Sequence, residues 1–387
     1  MKLLVLLSRF PYPLEKGDKL RAYHQLKYLS QNHDIYLVTL NDKKLSESDV
    51  NAVKPFCKEI HVMNLCRWTR FISIILFFFR GLPLQCGYFY HQKTDKKIHQ
   101  LIKAIQPDHI YGQLVRVAEY IKKEPYPKTI DYQDVLSKGM DRRAQTAPWY
   151  LKPFFKMESR RLAKYEADIF SYFDNHTIIT GVDRDLIPHS NSYNIELVAN
   201  GVDFEKFQSR DTEKKFDLIF TGNMSYVPNV DAALFLANTI FPELKKKFPS
   251  LTLAICGANP AAKVKALARK GIVVTGWIND MNEYYTKSRI FVAPMRLGTG
   301  LQNKLLEAMA SGIPCVTSFL AGKPLENVQQ AKDIMICNTL TGYLDAISIL
   351  LTNQELYDEM VRNGQRFVRE NYNWETTTKK LEQILQR

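Results

Sequence analysis

Short apolar, β-branched runs alternate with stretches of helical periodicity along most of the chain. Lys2 to Leu7 predicts a buried strand, and the loop Ser8 to Gly17 leads into a helix beginning near Asp18. Asp18 suits an N-cap, and Leu20, Tyr23, Leu26 and Leu29 follow at helical spacing. Further strands are predicted at Asp34 to Leu40, Glu59 to Met63, His109 to Tyr111, Thr129 to Tyr132, Asn175 to Thr180 and Tyr193 to Val198. Helices separate them, one from about Phe154 to Tyr172. Repeated strand, loop and helix predicts an α/β fold with parallel sheets.

The stretch Asp203 to Lys215 is charged and aperiodic, and reads as a linker, after which the alternation restarts. A strand Phe216 to Phe220 runs into Thr221-Gly222-Asn223, and a helical stretch Asn229 to Lys246 follows, broken by Pro242. Strands Leu251 to Cys256 and Ile272 to Thr275 end at Gly257 and at Gly276-Trp277, and the strands Ile290 to Ala293 and Pro314 to Ser318 complete the set. Loops at Gly222, Gly257 and Gly276 then lie at the carboxyl ends of parallel strands, where open α/β sheets bind ligands. The tail from Glu355 is helical, with Trp374 placed to pin it against the other domain. The domains predicted are 1–204 and 205–370, with a C-terminal helix, 371–387, packing back on the first.

The stretch Val292 to Val316, VAPMRLGTGLQNKLLEAMASGIPCV, is a strand end turning into a helix through Gly298 and Gly300. Counted from Gly300, Lys304, Glu307 and Ser311 share one face, while Leu301, Leu305 and Met309 share another. One face is expected to pack and the other to bind. Glycines and a helix N-terminus bring backbone N–H groups and partial positive charge, and Lys304 adds a full charge, which suits a phosphate or diphosphate. Glu307, one turn on, suits vicinal hydroxyls, as acidic residues do in dinucleotide sites. These properties describe a sugar nucleotide. A half-exposed helix with solvated Lys and Glu would have the same spacing. The first loop has only Gly17 and no GxGxxG, so a nicotinamide or flavin site is poorly supported.

Composition is that of an ordinary soluble chain, 45% apolar and 24% charged over 387 residues, which argues against disorder and for more than one domain. The net charge of +13 is concentrated in the first half, where residues 1–200 carry 30 Lys+Arg against 21 Asp+Glu. A basic surface attracts anions such as lipid head groups or phosphorylated substrates; nucleic acid is not expected, because no aromatic-basic interleaving accompanies it. Six cysteines without paired spacing point to a reducing compartment and no structural zinc, and the opening residues lack a cleavable signal, so a cytoplasmic location is expected. Arg67 to Arg80, RWTRFISIILFFFR, stands apart. It is too short to span a bilayer, and reads either as a helix buried in the N-terminal domain or as one dipping into the membrane interface with its arginines on lipid phosphates.

The run Gly298-Thr299-Gly300, Lys304, Glu307-Ala308-Met309-Ala310, Gly312, Pro314-Cys315-Val316 resembles the GxGxxxKxxEAMAxGxPVV pattern of family 4 glycosyltransferases. The Asn200-Gly201-Val202-Asp203 turn, the Gly222 loop, the Gly276-Trp277 turn and the Pro/Gly-bearing first loop also have counterparts there, so the likeness spans nearly the whole chain. Gly81-Leu82-Pro83-Leu84 with Tyr88-Phe89, and Asp131 to Ser137, are similar to a bacterial subgroup associated with exosortase and exopolysaccharide systems.

The resemblance implies a GT-B fold of two Rossmann-like, doubly wound parallel-sheet domains facing across a cleft. It implies retaining, metal-independent transfer of a sugar from a nucleoside-diphosphate donor. With the apolar stretch 71–79 and the basic N-terminal half beside it, the leading expectation is transfer to a polysaccharide or lipid-linked glycan by a cytoplasmic protein peripheral on the inner face of the cell membrane. The donor is a co-substrate, and no cofactor is implied. Glu307 would hold the ribose, Lys304 and the amides at Thr299 to Leu301 the diphosphate, and Trp277-Ile278 the base edge. Gly17 would let the first loop close on the phosphates, while Gly222, Asn223 and Gly276 would line the donor site.

Three departures qualify this. The position eight before Glu307 is Thr299, not a second glutamate, and Asn223-Met224-Ser225 replaces the usual cations after Gly222, leaving Arg296 to supply that charge. Tyr111-Gly112-Gln113 has no histidine where one is common, so no general base is assigned. A sugar-nucleotide epimerase of the same fold and a non-catalytic nucleotide- or membrane-binding scaffold are the competing readings.

Overall fold

Alternate residues of the first strand enter different cores. In the computed structural model, β1 (Lys2–Leu7) sends Leu4 and Leu6 to one face of a sheet and Leu3, Val5 and Leu7 to the other. Both sets are essentially inaccessible, as the two-sided burial of a central parallel strand requires. The structure describes all residues except Lys43, Lys44 and Thr299, and the side chain of Thr146. The chain forms two units, one of Met1–Ala199 with Trp374–Arg387, the other Asn200–Asn373.

The first unit adds β2 (Asp34–Asn41), β3 (Glu59–Asn64), β4 (His109–Gln113), β5 (Lys128–Asp131), β6 (Asn175–Ile178) and β7 (Glu196–Leu197). All pair in parallel in the order β3-β2-β1-β4-β5-β6-β7. The second unit holds β8 (Phe216–Thr221), β9 (Leu253–Cys256), β10 (Ile272–Val274), β11 (Ser288–Ala293), β12 (Cys315–Ser318) and β13 (Met335–Cys337), parallel in the order β10-β9-β8-β11-β12-β13. Each order reverses direction beside its first strand, as in a doubly wound Rossmann-like sheet. The protein is α/β with the GT-B pair of such domains.

Several expectations need correction. β13 and the helix Leu340–Thr352 were not predicted, because a three-residue edge strand carries too little pattern to read. Pro242 does not break its helix: Val227–Phe235 continues through a π turn, Leu236–Ile240, into Phe241–Lys247, with the proline in the first turn of that last segment. Proline donates no backbone bond there, and the wider turn before it gives its ring room beside the preceding carbonyls, so the helix continues. The stretch 203–215 is no free linker. Phe207 is buried against Tyr285, Arg210 pairs with Asp280, and Thr212 and Lys214 both donate to the Thr286 carbonyl, so it belongs to the second unit.

The terminal helix Trp374–Leu385 packs in the first unit, with Leu381, Ile384 and Leu385 in the core shared with the helix Gly17–Leu29. Trp374 is 1% exposed and stacks on His24 at 4.8 Å.

The helix Arg67–Phe79 is not a core helix. Only Ser73 and Phe77 are buried, while Trp68, Phe71, Ile72, Ile75, Leu76 and Phe79 form an exposed stripe at helical spacing. The buried-helix reading is therefore overturned. Among the described residues no helix is long and apolar enough to cross a membrane.

Candidate functional site

The strand order of the second unit opens a crevice between β8 and β11, beyond their carboxyl ends, where consecutive connections leave in opposite directions. Backbone bonds align the loops there. Gly222 donates to the Cys256 carbonyl and Gly257 to that of Gly276, each at 3.0 Å, so the loops after β8, β9 and β10 form one rim. A side chain at Gly222 (φ +155°) would place Cβ 2.7 Å from Asn229 Nδ2. A Cβ added at Gly298 (φ +102°), in the loop after β11, would lie 3.5 Å from the Pro228 side chain.

Lys304 and Glu307 come from the helix Asn303–Ala310, which starts at Asn303 and not at Gly300 as counted from the sequence. Neither forms part of a free face. Both are partly buried, and Ser311, expected beside them, is buried and bonded to the Glu307 carbonyl. The Lys304 ammonium donates to Asn229 Oδ1 at 2.6 Å and stands 4.7 Å from the centre of the Phe220 ring. Desolvation pushes its pKa down to about 7, with Glu307 partly opposing the shift. A group so tuned gains most from an incoming anion.

Glu307 Oε2 accepts from the Tyr285 hydroxyl at 3.2 Å, and that hydroxyl also lies 2.8 Å from Thr221 Oγ1 at the end of β8. Burial raises the carboxyl pKa, and the Tyr285 bond, Lys206 and Lys304 counter it. The result is an ammonium and a carboxylate, each oriented by a buried neutral partner, at the switch point of the sheet.

The other expected residues divide. Gly276, Trp277 and Ile278 lie on the same rim, Trp277 exposed with its indole N–H on Asn279. Asn223 accepts from Ser225 and, through its carbonyl, from Asn229, which ties the Gly222 loop to Lys304. Gly300 and Leu301 precede the helix, and Thr299 lies outside the described residues. Arg296 is set apart: two bonds, 2.6 and 3.0 Å, hold it on Asp231, and it covers Phe235. Asp231 and Asn229 are two positions apart on one helix and so point to opposite flanks, which leaves Arg296 on the side away from Lys304. Gly17 belongs to the first unit, at the start of its helix, with open space around its Cβ position.

Asn229 and Tyr285 were missed from the sequence. Seven residues after Gly222, an amide on the first turn of a post-strand helix was the available signal for Asn229; Tyr285 looked like a core aromatic. In the first unit the carboxyl end of the sheet carries a buried pair, Arg21 to Asp131 at 2.7 Å, with Tyr111 donating to the same carboxylate. Among the described residues no cluster of three His, Cys, Asp or Glu is placed to hold a metal ion.

Residues 215–353 match the family described as Glycosyl transferases group 1. The chain is 22% identical over 96% of its length, and 96% of the relative's, to an uncharacterised 44.6 kDa protein in the cps region of Klebsiella pneumoniae. It is 24% identical over 51% of its length to an uncharacterised glycosyltransferase of Methanocaldococcus jannaschii, covering 54% of that protein. Among solved structures, Anabaena HepE in complex with UDP superposes with a TM-score of 0.70 at 11% identity, covering all of both chains. The sucrose-phosphate synthase of Thermosynechococcus elongatus does so with a TM-score of 0.70 at 12% identity, over 100% of this chain and 98% of that one. With a Glycosyl transferases group 1 match on the unit that carries Lys304 and Glu307, and a GT-B fold throughout, the protein is a glycosyltransferase.

Proposed function

We propose that the second unit binds a nucleoside-diphosphate sugar at the β8/β11 crevice, and that the protein transfers the sugar with retention, without a metal ion, to a polysaccharide or lipid-linked glycan at the cytoplasmic face of the membrane. The observation that carries the donor assignment is the pair Lys304 on Asn229 and Glu307 on Tyr285, held at one switch point. Lys304 and the backbone donors around Gly300 and Leu301 take the diphosphate, Glu307 accepts from the ribose hydroxyls, and the rim at Trp277 and Ile278 meets the base. Stabilising the departing diphosphate is the main catalytic demand, and an ammonium held in place by Asn229 and largely desolvated supplies it. Arg296, neutralised by Asp231, contributes at longer range. The relative in the cps region supports an exopolysaccharide acceptor, and the exposed apolar helix Arg67–Phe79 supports a membrane location.

The test is a thermal-shift panel with UDP, GDP, ADP, dTDP and their sugar conjugates, with and without EDTA. UDP comes first because the Anabaena structure holds it. A ligand at about 100 times its Kd adds about 2.7 kcal/mol, a visible change in melting temperature. A shift by one diphosphate, insensitive to EDTA and lost in Glu307→Ala, supports the reading; no shift with any of them overturns it.

A further inference from the structure

The exposed stripe on the helix Arg67–Phe79 is not isolated. The turn between the helices Leu136–Thr146 and Lys152–Asp168 exposes Trp149, Tyr150 and Leu151, and the start of the second helix exposes Phe154, with Trp149 and Phe79 both 81% accessible. Two links tie the helix Lys152–Asp168, which carries this second apolar group at its start, to the end of the first helix and the segment after it. The Arg161 guanidinium lies 4.8 Å over the Phe78 ring and donates to the Leu82 carbonyl. The buried Glu158 carboxylate accepts from the backbone N–H groups of Leu84 and Gln85, fixing the helix Lys152–Asp168 to the segment that follows Arg80.

Between the turn and that helix is an open recess of about 500 Å³, lined by Trp149, Lys152, Lys156, Met157, Arg160 and Arg161. Lys152, Lys156 and Arg160 recur every four positions and therefore share one helix face. No acidic side chain lines the recess, because the one carboxylate on this stretch, Glu158, is turned inward as a cap. Aromatic side chains at the rim with clustered cations behind them match the layering of a bilayer surface, apolar below the headgroups and negative at them.

We propose that the helix Arg67–Phe79 and the turn around Trp149 form one surface that seats in an anionic bilayer, and that the recess between Trp149 and Arg160 takes a lipid phosphate. The proposal deepens the membrane-face reading above and rests on it. It adds a second contact, remote in sequence, and assigns charge recognition to Lys152, Lys156 and Arg160 instead of to the arginines that flank the first helix.

The experiment is flotation of the full chain with vesicles of equal parts phosphatidylglycerol and phosphatidylcholine, against phosphatidylcholine alone. Three variants accompany the wild type: Phe71→Ser with Phe79→Ser, Trp149→Ser with Phe154→Ser, and Lys152→Glu with Lys156→Glu and Arg160→Glu. All the altered side chains are exposed, so melting temperatures are expected to match the wild type, and light scattering reports oligomeric state. The expected result is flotation only with the anionic vesicles, weakened by added salt and reduced at least tenfold in every variant. A wild type that stays unbound overturns this surface together with the membrane reading. Release of the first variant alone, with the other two floating as wild type, overturns the composite surface and leaves the membrane reading standing. A dimer that dissociates on Trp149→Ser makes the patch a subunit interface and also overturns the proposal.

Discussion

Asn229 Oδ1 accepts a hydrogen bond from the Lys304 ammonium at 2.6 Å, across 75 positions of sequence. The amide fixes where the charge stands, and Phe220 beneath it prevents water from doing the same. Lys304→Met is expected to raise the donor KM and lower kcat, because the ammonium serves both ground state and departing diphosphate. Asn229→Ala keeps the charge but frees it. A lost hydrogen bond to a charged group is worth about 1.5–3 kcal/mol, roughly 10- to 100-fold in kcat/KM. Steady-state kinetics of both variants decide it, and an Asn229→Ala enzyme with unchanged kinetics would remove the positioning role.

Glu307→Ala is expected to weaken donor binding and nearly abolish turnover. Tyr285→Phe keeps the carboxylate and removes the hydroxyl that orients it, so a smaller loss of about tenfold is expected, together with a lower melting temperature because Thr221 also loses its partner. Isothermal titration with the nucleoside diphosphate separates the two. Equal affinity in the wild type and Glu307→Ala would contradict ribose binding.

The pH dependence follows from Lys304, whose pKa is lowered to about 7 in the folded protein from 10.5. Between these values the unfolded chain binds the proton and the folded one does not, so this group makes stability rise with pH across that window. Below pH 7 the cost of the buried charge is fully present. Compared with Lys304→Met, the unliganded wild type should therefore gain melting temperature as pH is raised from 7 to 10. A bound diphosphate favours the charged form, so donor affinity should instead fall above pH 7. Parallel melting curves for the two proteins test the first statement, and KM against pH the second.

Phe77 and Phe79, two positions apart on one helix, point to opposite sides of it. Phe77 is 2% exposed and packs where a Cβ on Gly87 would come within 2.9 Å, whereas Phe79 faces outward. Phe77→Ser is expected to cost on the order of 3–5 kcal/mol, and Phe79→Ser close to nothing. Urea denaturation measures both. Equal stability losses would mean that the exposed stripe is misplaced.

Trp374→Ala should destabilise the first unit by a similar amount, since the indole stacks on His24 and fills the junction of the terminal helix with Gly17–Leu29. Limited proteolysis is expected to release the last residues first. A variant as resistant as wild type would show that Leu381, Ile384 and Leu385 hold the helix without it.

Much of the fold was legible because the signal is local. Leu3 to Leu7, Leu218 to Phe220 and Ile290 to Ala293 are continuous apolar runs bounded by turn residues, and strands buried on both faces read that way. The glycines at 222, 257 and 276 marked strand ends for the same reason. β13 was missed because three residues have no period. The helix Arg67–Phe79 misled in the other direction, since apolar side chains say that water is avoided without saying what covers them.

The sequence by itself determined the two rounds of strand and helix, the glycine-bearing loops, and a lysine and a glutamate one turn apart after Gly298 and Gly300. Those follow from backbone hydrogen bonding and from 3.6-residue and two-residue periods, which neighbouring residues settle among themselves. Tertiary structure alone decided that Asn229 meets Lys304, that Tyr285 meets Glu307, that Asp231 takes Arg296, and that Arg161 lies over Phe78. Each is a pairing of side chains far apart in the chain, set by the order in which strands lie side by side, and strand order leaves no mark on the pattern of any one segment.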